Sequence, residues 1–281
     1  MVNEENCAIF IPTYKRANNV LTYKTVRDGG YTGKIYLIIG DDDTTADEYI
    51  KKYKDQVIIF HKDRNKTDLE DNFDKDNVVV FARNAMFDIA KDLGLDYFMV
   101  LDDDYDHFCF RRCYGSKLKG FKIKDLNSCI WAGFDYLDNT PKLDCFTWCQ
   151  DGDFIGGADS FESIGGKRKI MNAYFFRTER PIKFLGRTNE DLTASVYNGQ
   201  RGMCLFTVND VSVHQMITQK QGGGLTESYL DMGTYVKSFY SVIACPNCVK
   251  IGVMGSVDYR IHHNVNWNLA VPKIIREVYK K

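Results

Sequence analysis

The sequence predicts an α/β fold: a mostly parallel central sheet flanked by helices, with a smaller mixed region on its C-terminal side. Three observations predict it. Apolar runs and helical stretches alternate through residues 7–101, the pattern of strands joined by helical crossovers. Each run closes on a polar loop, and one closes on three consecutive aspartates, LDDDY at 101–105. Beyond residue 107 the texture changes to short strands, Gly-rich links and longer helical stretches. No internal repeat, low-complexity tail or linker interrupts the chain. Residues 1–281 are therefore read as one domain with two halves, 1–106 and 107–281.

In order, CAIFIP (7–12) is a short apolar run that ends at a proline, as an interior strand does. TYKRANN follows as a polar turn, and a helix is expected to about Arg27. KIYLII (34–39) is a second strand; the Asp/Thr cluster of GDDDTTADEYIKKY then makes a turn and caps a helix start. VIIF (57–60) is a third strand. NVVVFARNAMFDIAKDLGL carries a helix from about Val79 that Gly94 stops. YFMVL (97–101) is the fourth strand. In the second half CFTWC, NAYFFR, MCLFTV and DYRIHH read as short strands, and residues 155–169 and 219–227 as mobile Gly-rich loops. Ligands of such sheets bind beyond the carboxyl ends of the strands. PTYKR, GDDD and LDDDY all stand at such ends and are expected to gather at one rim.

With 44% hydrophobic residues the chain has ample material for a core. Its formal net charge of −1 sets up no global basic field, although a neutral protein can still carry a local basic groove. The nine cysteines are an odd number, no secretory leader opens the chain, and no stretch approaches the length of a membrane span. These features point to a cytoplasmic protein with reduced thiols and no membrane partner. One CxxC (Cys245, Cys248) and two C-x3-C pairs (Cys109/Cys113 and Cys145/Cys149) are read as buried thiols, because a structural zinc site brings two such pairs together.

Adjacent aspartates repel, and folding does not require three at a strand end. Carboxylates spaced i, i+2 at a strand-to-loop turn can share one hard divalent cation, Mg²⁺ or Mn²⁺, and Asp102 and Asp104 are that pair. Such an ion neutralises a diphosphate leaving group, which glycosyl transfer from a nucleotide sugar needs. Asp103 is expected to point the other way, to a ribose or a structural partner. The alternative is an Asp-rich turn, which is how the similar GDDDT at 40–44 is read.

IPTYKR at the start, ARNAMFDIA before the fourth strand and LDDDY after it resemble a glycosyltransferase of the GT-A fold. The resemblance implies that Pro12, Thr13, Tyr14, Lys15 and Arg16 meet the nucleotide base and ribose. It places Arg83 near the diphosphate or sugar, and nucleotide and metal at Asp102 and Asp104, with Asp103 counted among the nucleotide contacts. The first half would then bind the nucleotide sugar and the second half the acceptor. TNEDL (188–192) is similar to an acidic motif that opens a helix under the acceptor, which makes Asp191 or Glu190 a candidate general base. The same segment also reads as a cap, with Thr188 or Asn189 before an acidic first turn. YRIHHNVNW supplies two of five histidines, and a late histidine as third metal ligand would be His263. His262 and His263 would point to opposite faces of a strand.

More narrowly, IPTYKRA, ARNA, LDDDY and NEDL resemble the phage TET-associated glycosyltransferases, which act on 5-hydroxymethylcytosine in DNA. That resemblance implies a UDP-sugar donor, a divalent cation, a hydroxymethylated DNA base flipped into the site, and the cytoplasm of a phage-infected bacterium. Basic loops at GGKRK (165–169) and RRCYGSKLKG (111–120) would hold phosphates, with aromatic residues stacking on the base. QGGGL (221–225) would serve as a lid. Two other readings compete: a glycosyltransferase acting on a protein, lipid-linked or polysaccharide acceptor, and a non-catalytic nucleic-acid- or sugar-binding protein. A nucleotidyltransferase is disfavoured, because the PTYKRANN loop lacks the glycines of a phosphate-binding turn.

Overall fold

A computed structural model describes residues 2–65, 71, 78–154, 157–158, 168–215, 236–255 and 259–270. The first half builds β1 (Cys7–Pro12), α1 (Leu21–Asp28), β2 (Lys34–Gly40), α2 (Ala46–Tyr53), β3 (Val57–Phe60), the single turn α3 (Lys62–Asn65), α4 (Val79–Asp92) and β4 (Tyr97–Val100). The second half adds β5 (Tyr105–Tyr114), β6 (Lys117–Lys122), α5 (Leu126–Asp138), β7 (Cys145–Gln150), β8 (Ala173–Arg177), α6 (Glu190–Gln200) and β9 (Leu205–Gln215). It continues through α7 (Lys237–Ala244), β10 (Val249–Met254), β11 (Arg260–Val265) and the short α8 (Trp267–Ala270).

Nine strands form one sheet in the order β3-β2-β1-β4-β8-β7-β9-β5-β6. β3, β2, β1 and β4 are mutually parallel, as the alternation predicts. β8 runs antiparallel to β4, β7 antiparallel to β8, and β9 parallel to β7. The expected mixed region is thus the far side of the same α/β sheet, while β10 and β11 pair as a separate antiparallel ribbon.

Side chains alternate across the sheet and feed two cores. Ile9, Ile11, Leu37, Met99, Phe146 and Phe175 pack on one face, and Phe10, Ile38, Phe98, Val100 and Phe176 on the other with Phe81, Met86 and Phe87 of α4. Every residue of β1 is buried, which is why CAIFIP reads as a continuous apolar run. Phe146 and Phe175 stack at 4.4 Å between ring centroids. A Cβ on Gly133 would lie 2.5 Å from the Phe175 ring, so glycine is what lets α5 close onto β8. Gly94 stops α4 as expected, at φ +68.

Two local expectations change. RRCYGSKLKG is not a loop: residues 105–114 and 117–122 pair as a β-hairpin, turning at Gly115 with φ +59. Its polar composition reflects an edge position, where one strand side faces solvent and charge blunts further pairing. MCLFTV is the start of a longer strand that runs to Gln215. The nine cysteines carry no disulfide. Cys245 and Cys248 sit in a small apolar cluster with Leu192 and Val196. Among the described residues no helix is long and apolar enough to cross a membrane.

Candidate functional site

The acidic triplet turns off the end of β4, and α1 holds its backbone. Thr22, fully buried, donates its amide to the Asp103 carbonyl (3.2 Å) and its hydroxyl to the Asp102 carbonyl, and accepts the Tyr105 amide at 2.8 Å. The turn is therefore fixed before any ligand enters it, and its three side chains diverge.

Asp102 lies between Arg83 Nη2 (3.0 Å to Oδ1) and the Tyr105 hydroxyl (3.0 Å to Oδ2). Asp103 points back into the protein. Its Oδ2 accepts from the Thr13 hydroxyl at 2.7 Å and its Oδ1 from Arg16 Nη1 at 2.6 Å. Burial pushes the Asp103 carboxyl up against the pull of Arg16 and Thr13. Both of its oxygens accept hydrogen bonds from its own chain.

Asp104 is the odd member. Its Oδ2 accepts from Gln215 Nε2 at 3.1 Å, while Oδ1 is buried with no hydrogen-bond partner among the described residues. Burial, and then the neighbouring Asp102 carboxylate, push the Asp104 carboxyl up to about 7.

PTYKR reaches this turn as expected. Pro12 ends β1 in register with Ile38. Thr13 bridges Asp103 to the Tyr49 hydroxyl (3.0 Å), which also accepts the Arg16 amide at 2.8 Å. Lys15 adopts φ +54, a conformation rare for a side-chain-bearing residue, and its amide donates to Asp43 Oδ2 at 2.7 Å. The Tyr14 ring has Lys15 and Lys62 ammonium groups 5.0 and 5.3 Å from its centroid. The three predicted loops therefore do share one rim.

Arg83 ties this rim to α6. Its guanidinium is buried, pairs with Asp102 and with Glu190 Oε1, and lies 5.2 Å from the Tyr174 ring centroid. Burial opposes the charge, but the surrounding acidic groups hold the guanidinium firmly protonated. Glu190 is thus committed to an ion pair, with burial raising its carboxyl against the pull of Arg83. Asp191, next along, accepts from Lys169 Nζ and from the Leu192 amide, at 2.8 and 2.7 Å. Burial acts to raise its carboxyl, but Lys169 and the amide outweigh it and hold it low, hence ionised. Asn189 precedes the helix at φ +61, and its side chain does not cap the helix. It turns instead to Ser241 (3.2 Å) and to His263 Nδ1 (3.4 Å).

His263 thus stands beside the start of α6, and burial, then His262 and Lys169, push its imidazole down to about 4. The His262 and His263 ring centroids lie 4.2 Å apart. Among the described residues, the His/Cys/Asp/Glu trio whose ligand atoms lie within 4.8 Å of one another is Asp106, His107 and His214.

Sequence reasoning gave no positioning role to Gln215, Thr22 and Tyr105, and took Lys169 for a phosphate contact rather than a partner of Asp191. A polar residue closing a long strand is the signal that could have pointed to Gln215. Of GGKRK, residues 165–167 lie outside the described residues, and Lys169 is engaged with Asp191 rather than free for phosphate. QGGGL (221–225) lies wholly outside the described residues, as do the loop 219–227 and most of 155–169.

The profile of the TET-Associated Glycosyltransferase family matches residues 7–224. No curated protein matches the sequence. Among solved structures, TarS 1-349 of S. aureus with UDP-GlcNAc is 10% identical at TM-score 0.47, covering 86% of this chain and 66% of its own. The mannosyltransferase PcManGT of Pyrobaculum calidifontis, with GDP-Man and Mn²⁺, is 11% identical at TM-score 0.46, covering 86% of this chain and 74% of its own. Glucosyl-3-phosphoglycerate synthase of Mycobacterium tuberculosis, with Mg²⁺ and UDP, is 10% identical at TM-score 0.47, covering 93% and 88%. This chain therefore spans slightly less than two thirds of the TarS chain.

Proposed function

The chain belongs to the TET-Associated Glycosyltransferase family and is a glycosyltransferase, and from that premise we propose that it moves a sugar from a UDP-sugar to 5-hydroxymethylcytosine in phage DNA, with Mn²⁺ or Mg²⁺ at Asp102 and Asp104. One observation carries the proposal. Asp104 presents a buried oxygen without a hydrogen-bond partner among the described residues, one residue removed from Asp102. A carboxylate buried in that state, with its proton affinity raised by a second carboxylate, fits a cation better than it fits an apolar wall. When bound, the ion supplies charge to a diphosphate as the glycosidic bond breaks.

The residues around it have separate tasks. Asp103 locks Thr13 and Arg16, so the PTYKR loop is fixed where the nucleotide is to lie. Arg83 orients Asp102 and, through Glu190, sets the start of α6. Asp191 is kept ionised by Lys169 and is the group we assign to take the acceptor proton, if the reaction inverts the anomeric centre. His263, on β11 and beside Asn189, is the candidate third ligand.

The exposed face of the β5–β6 hairpin supports a nucleic-acid acceptor. Cross-strand pairs there are Phe110 with Phe121, Arg112 with Lys119 and Tyr114 with Lys117. Phe110, Phe121 and Tyr114 are 36, 45 and 56% exposed. Aromatic rings that alternate with cations stack on bases and neutralise phosphates without sequence preference. This local basic strip answers the near-neutral net charge of the whole chain.

The test uses UDP-sugar with hydroxymethylated or unmodified DNA. Asp104→Asn is expected to lower metal-dependent transfer by at least about 10²- to 10³-fold while the chain stays folded. Asp191→Asn is expected to lower turnover yet leave Mn²⁺-dependent UDP binding in place. Equal residual transfer by both variants would refute this division of roles. Transfer without DNA to a protein or polysaccharide acceptor would favour the broader glycosyltransferase reading.

A further inference from the structure

We propose that the β5–β6 hairpin binds an unpaired DNA strand at a distance from the acidic triplet, holding the acceptor by nucleotides that flank the modified base. Its use in catalysis rests on the DNA acceptor proposed above; the binding itself does not. Charge is the first observation. From His107 to Lys124 the chain carries Arg111, Arg112, Lys117, Lys119, Lys122 and Lys124 and no Asp or Glu, in a protein of net charge −1.

Register sorts these residues onto two faces. After a bulge between Tyr105 and His107, β5 pairs with β9 from His107 opposite His214 to Phe110 opposite Val211. Beyond Phe110 its partner is β6, the edge of the sheet. Successive residues of a strand face opposite sides. One face carries Arg111, whose guanidinium pairs with Asp151 and donates to Ser212 Oγ at 2.9 Å. A Cβ on Gly120, directly across the ladder, would lie 2.8 Å from that guanidinium, so glycine is what lets Arg111 lie over β6. This cation is engaged in holding the hairpin to the body of the protein. The other face carries Phe110, Arg112 and Tyr114 opposite Phe121, Lys119 and Lys117. All six are exposed, and the three cations meet no carboxylate among the described residues. Nearer the start of β5 the same face is core, with Phe108 buried 5.7 Å from the Trp148 ring.

The cations lie among the rings rather than around them. The Lys119 ammonium is 5.3 Å from the Tyr114 centroid, and the Tyr114 and Phe121 rings meet edge to face at 6.1 Å. Bases stack on such rings while the phosphates between them meet the cations. A duplex offers base edges in its grooves, not base faces, so exposed rings would add nothing to its phosphate contacts. At about 3.3 Å per residue, the strand carries Phe110 up to about 20 Å and Tyr114 up to about 33 Å from Asp104. The strip therefore meets flanking nucleotides and not the target base.

The test uses the full chain without UDP-sugar. It is titrated against a labelled oligothymidine of about twenty nucleotides and a duplex of the same length, followed by fluorescence anisotropy, and is sedimented with phosphatidylserine vesicles. Binding of the single strand is expected to be about tenfold tighter than that of the duplex, and Tyr114→Ala and Phe121→Ala should each weaken it about tenfold. Lys117→Gln and Lys119→Gln should each lower the slope of log affinity against log salt by about 0.7. Asp104→Asn should bind the oligothymidine as the native chain does, and circular dichroism checks the fold of each variant. In transfer assays the KM for hydroxymethylated DNA should fall as its unpaired flank lengthens, and that fall should vanish in Tyr114→Ala. Duplex bound as tightly as single strand, oligothymidine affinity unchanged in the ring variants, or ring-dependent binding of the vesicles alone overturns the site. Hairpin-dependent binding of oligothymidine without transfer to hydroxymethylated DNA supports the site and refutes the acceptor reading instead.

Discussion

The chain carries two Asp-Asp-Asp runs, at 41–43 and 102–104, each just beyond a strand of the parallel sheet, and the protein treats them differently. The first is a turn. Asp41 is 37% exposed and meets His61 and the Lys62 amide; Asp42 is 41% exposed and pairs with Lys62 Nζ at 2.5 Å. Asp43 is buried, and its oxygens accept from the Thr45 amide and hydroxyl and from the Lys15 amide. Each carboxylate there meets hydrogen-bond donors or a neighbouring cation. The second run is drawn inside: Asp102 faces the buried Arg83 and Asp103 the partly buried Arg16, while one oxygen of Asp104 has no partner among the described residues. The pKa directions follow. Asp41, with little burial and with Lys62 and His61 contacts that outweigh it, is held below its ordinary value. Asp104 is raised to about 7. The same three residues make a cap or a ligand site according to burial and the count of available donors.

Four measurements sharpen or break that contrast. Arg83→Met should have the largest effect on stability, because it leaves Asp102 and buried Glu190 without their shared cation. Removing one partner of such a buried pair costs about 3–5 kcal/mol, readable as a shift in urea midpoint. Asp103→Asn keeps the shape but loses two charge-assisted bonds, to Arg16 and Thr13. A loss of about 1–3 kcal/mol is expected, with weaker UDP binding because PTYKR is released.

The third measurement is pH dependence. Asp104 titrates at about 7 when folded and at its ordinary 3.8 when unfolded. Between those values the folded chain holds more protons than the unfolded one, so this group lowers stability as pH rises across that window. The fall should be on the order of 1–2 kcal/mol, absent in Asp104→Asn and smaller when Mn²⁺ is present. Unfolding midpoints that do not respond to Asp104→Asn across the window would break the contrast. The smallest effect belongs to Asp42→Asn, which takes one partner from a pair between an exposed carboxylate and the buried Lys62 and should change stability by about 1 kcal/mol or less.

Periodicity and punctuation were enough to read the parallel half. Fully apolar β1 and β4, the α4 helix and its Gly94 stop, and the turn at 41–43 are each local patterns with local causes. The hairpin at 105–122 was misread because edge strands carry the same charges and glycines as loops. The role of Asp103 was left open between ribose and structural partner, because a strand-end turn does not reveal what lies behind it. Lys169 read as a phosphate ligand because a basic run looks solvated until its carboxylate partner, 22 residues on, is placed beside it.

By itself the sequence determined which segments become strands and helices, and that acidic and basic loops would fall at the carboxyl ends of β1, β2 and β4. Those outcomes depend on neighbours within a few positions, where side-chain period and backbone geometry act directly. Only the tertiary structure decided that Glu190 closes on Arg83 across 107 positions, that Gln215 reaches Asp104 across 111, and that Asp106 meets His214 across 108. Such contacts are set by strand order, by register and by one bulge. These are collective properties of the whole sheet, and no short window of residues encodes them.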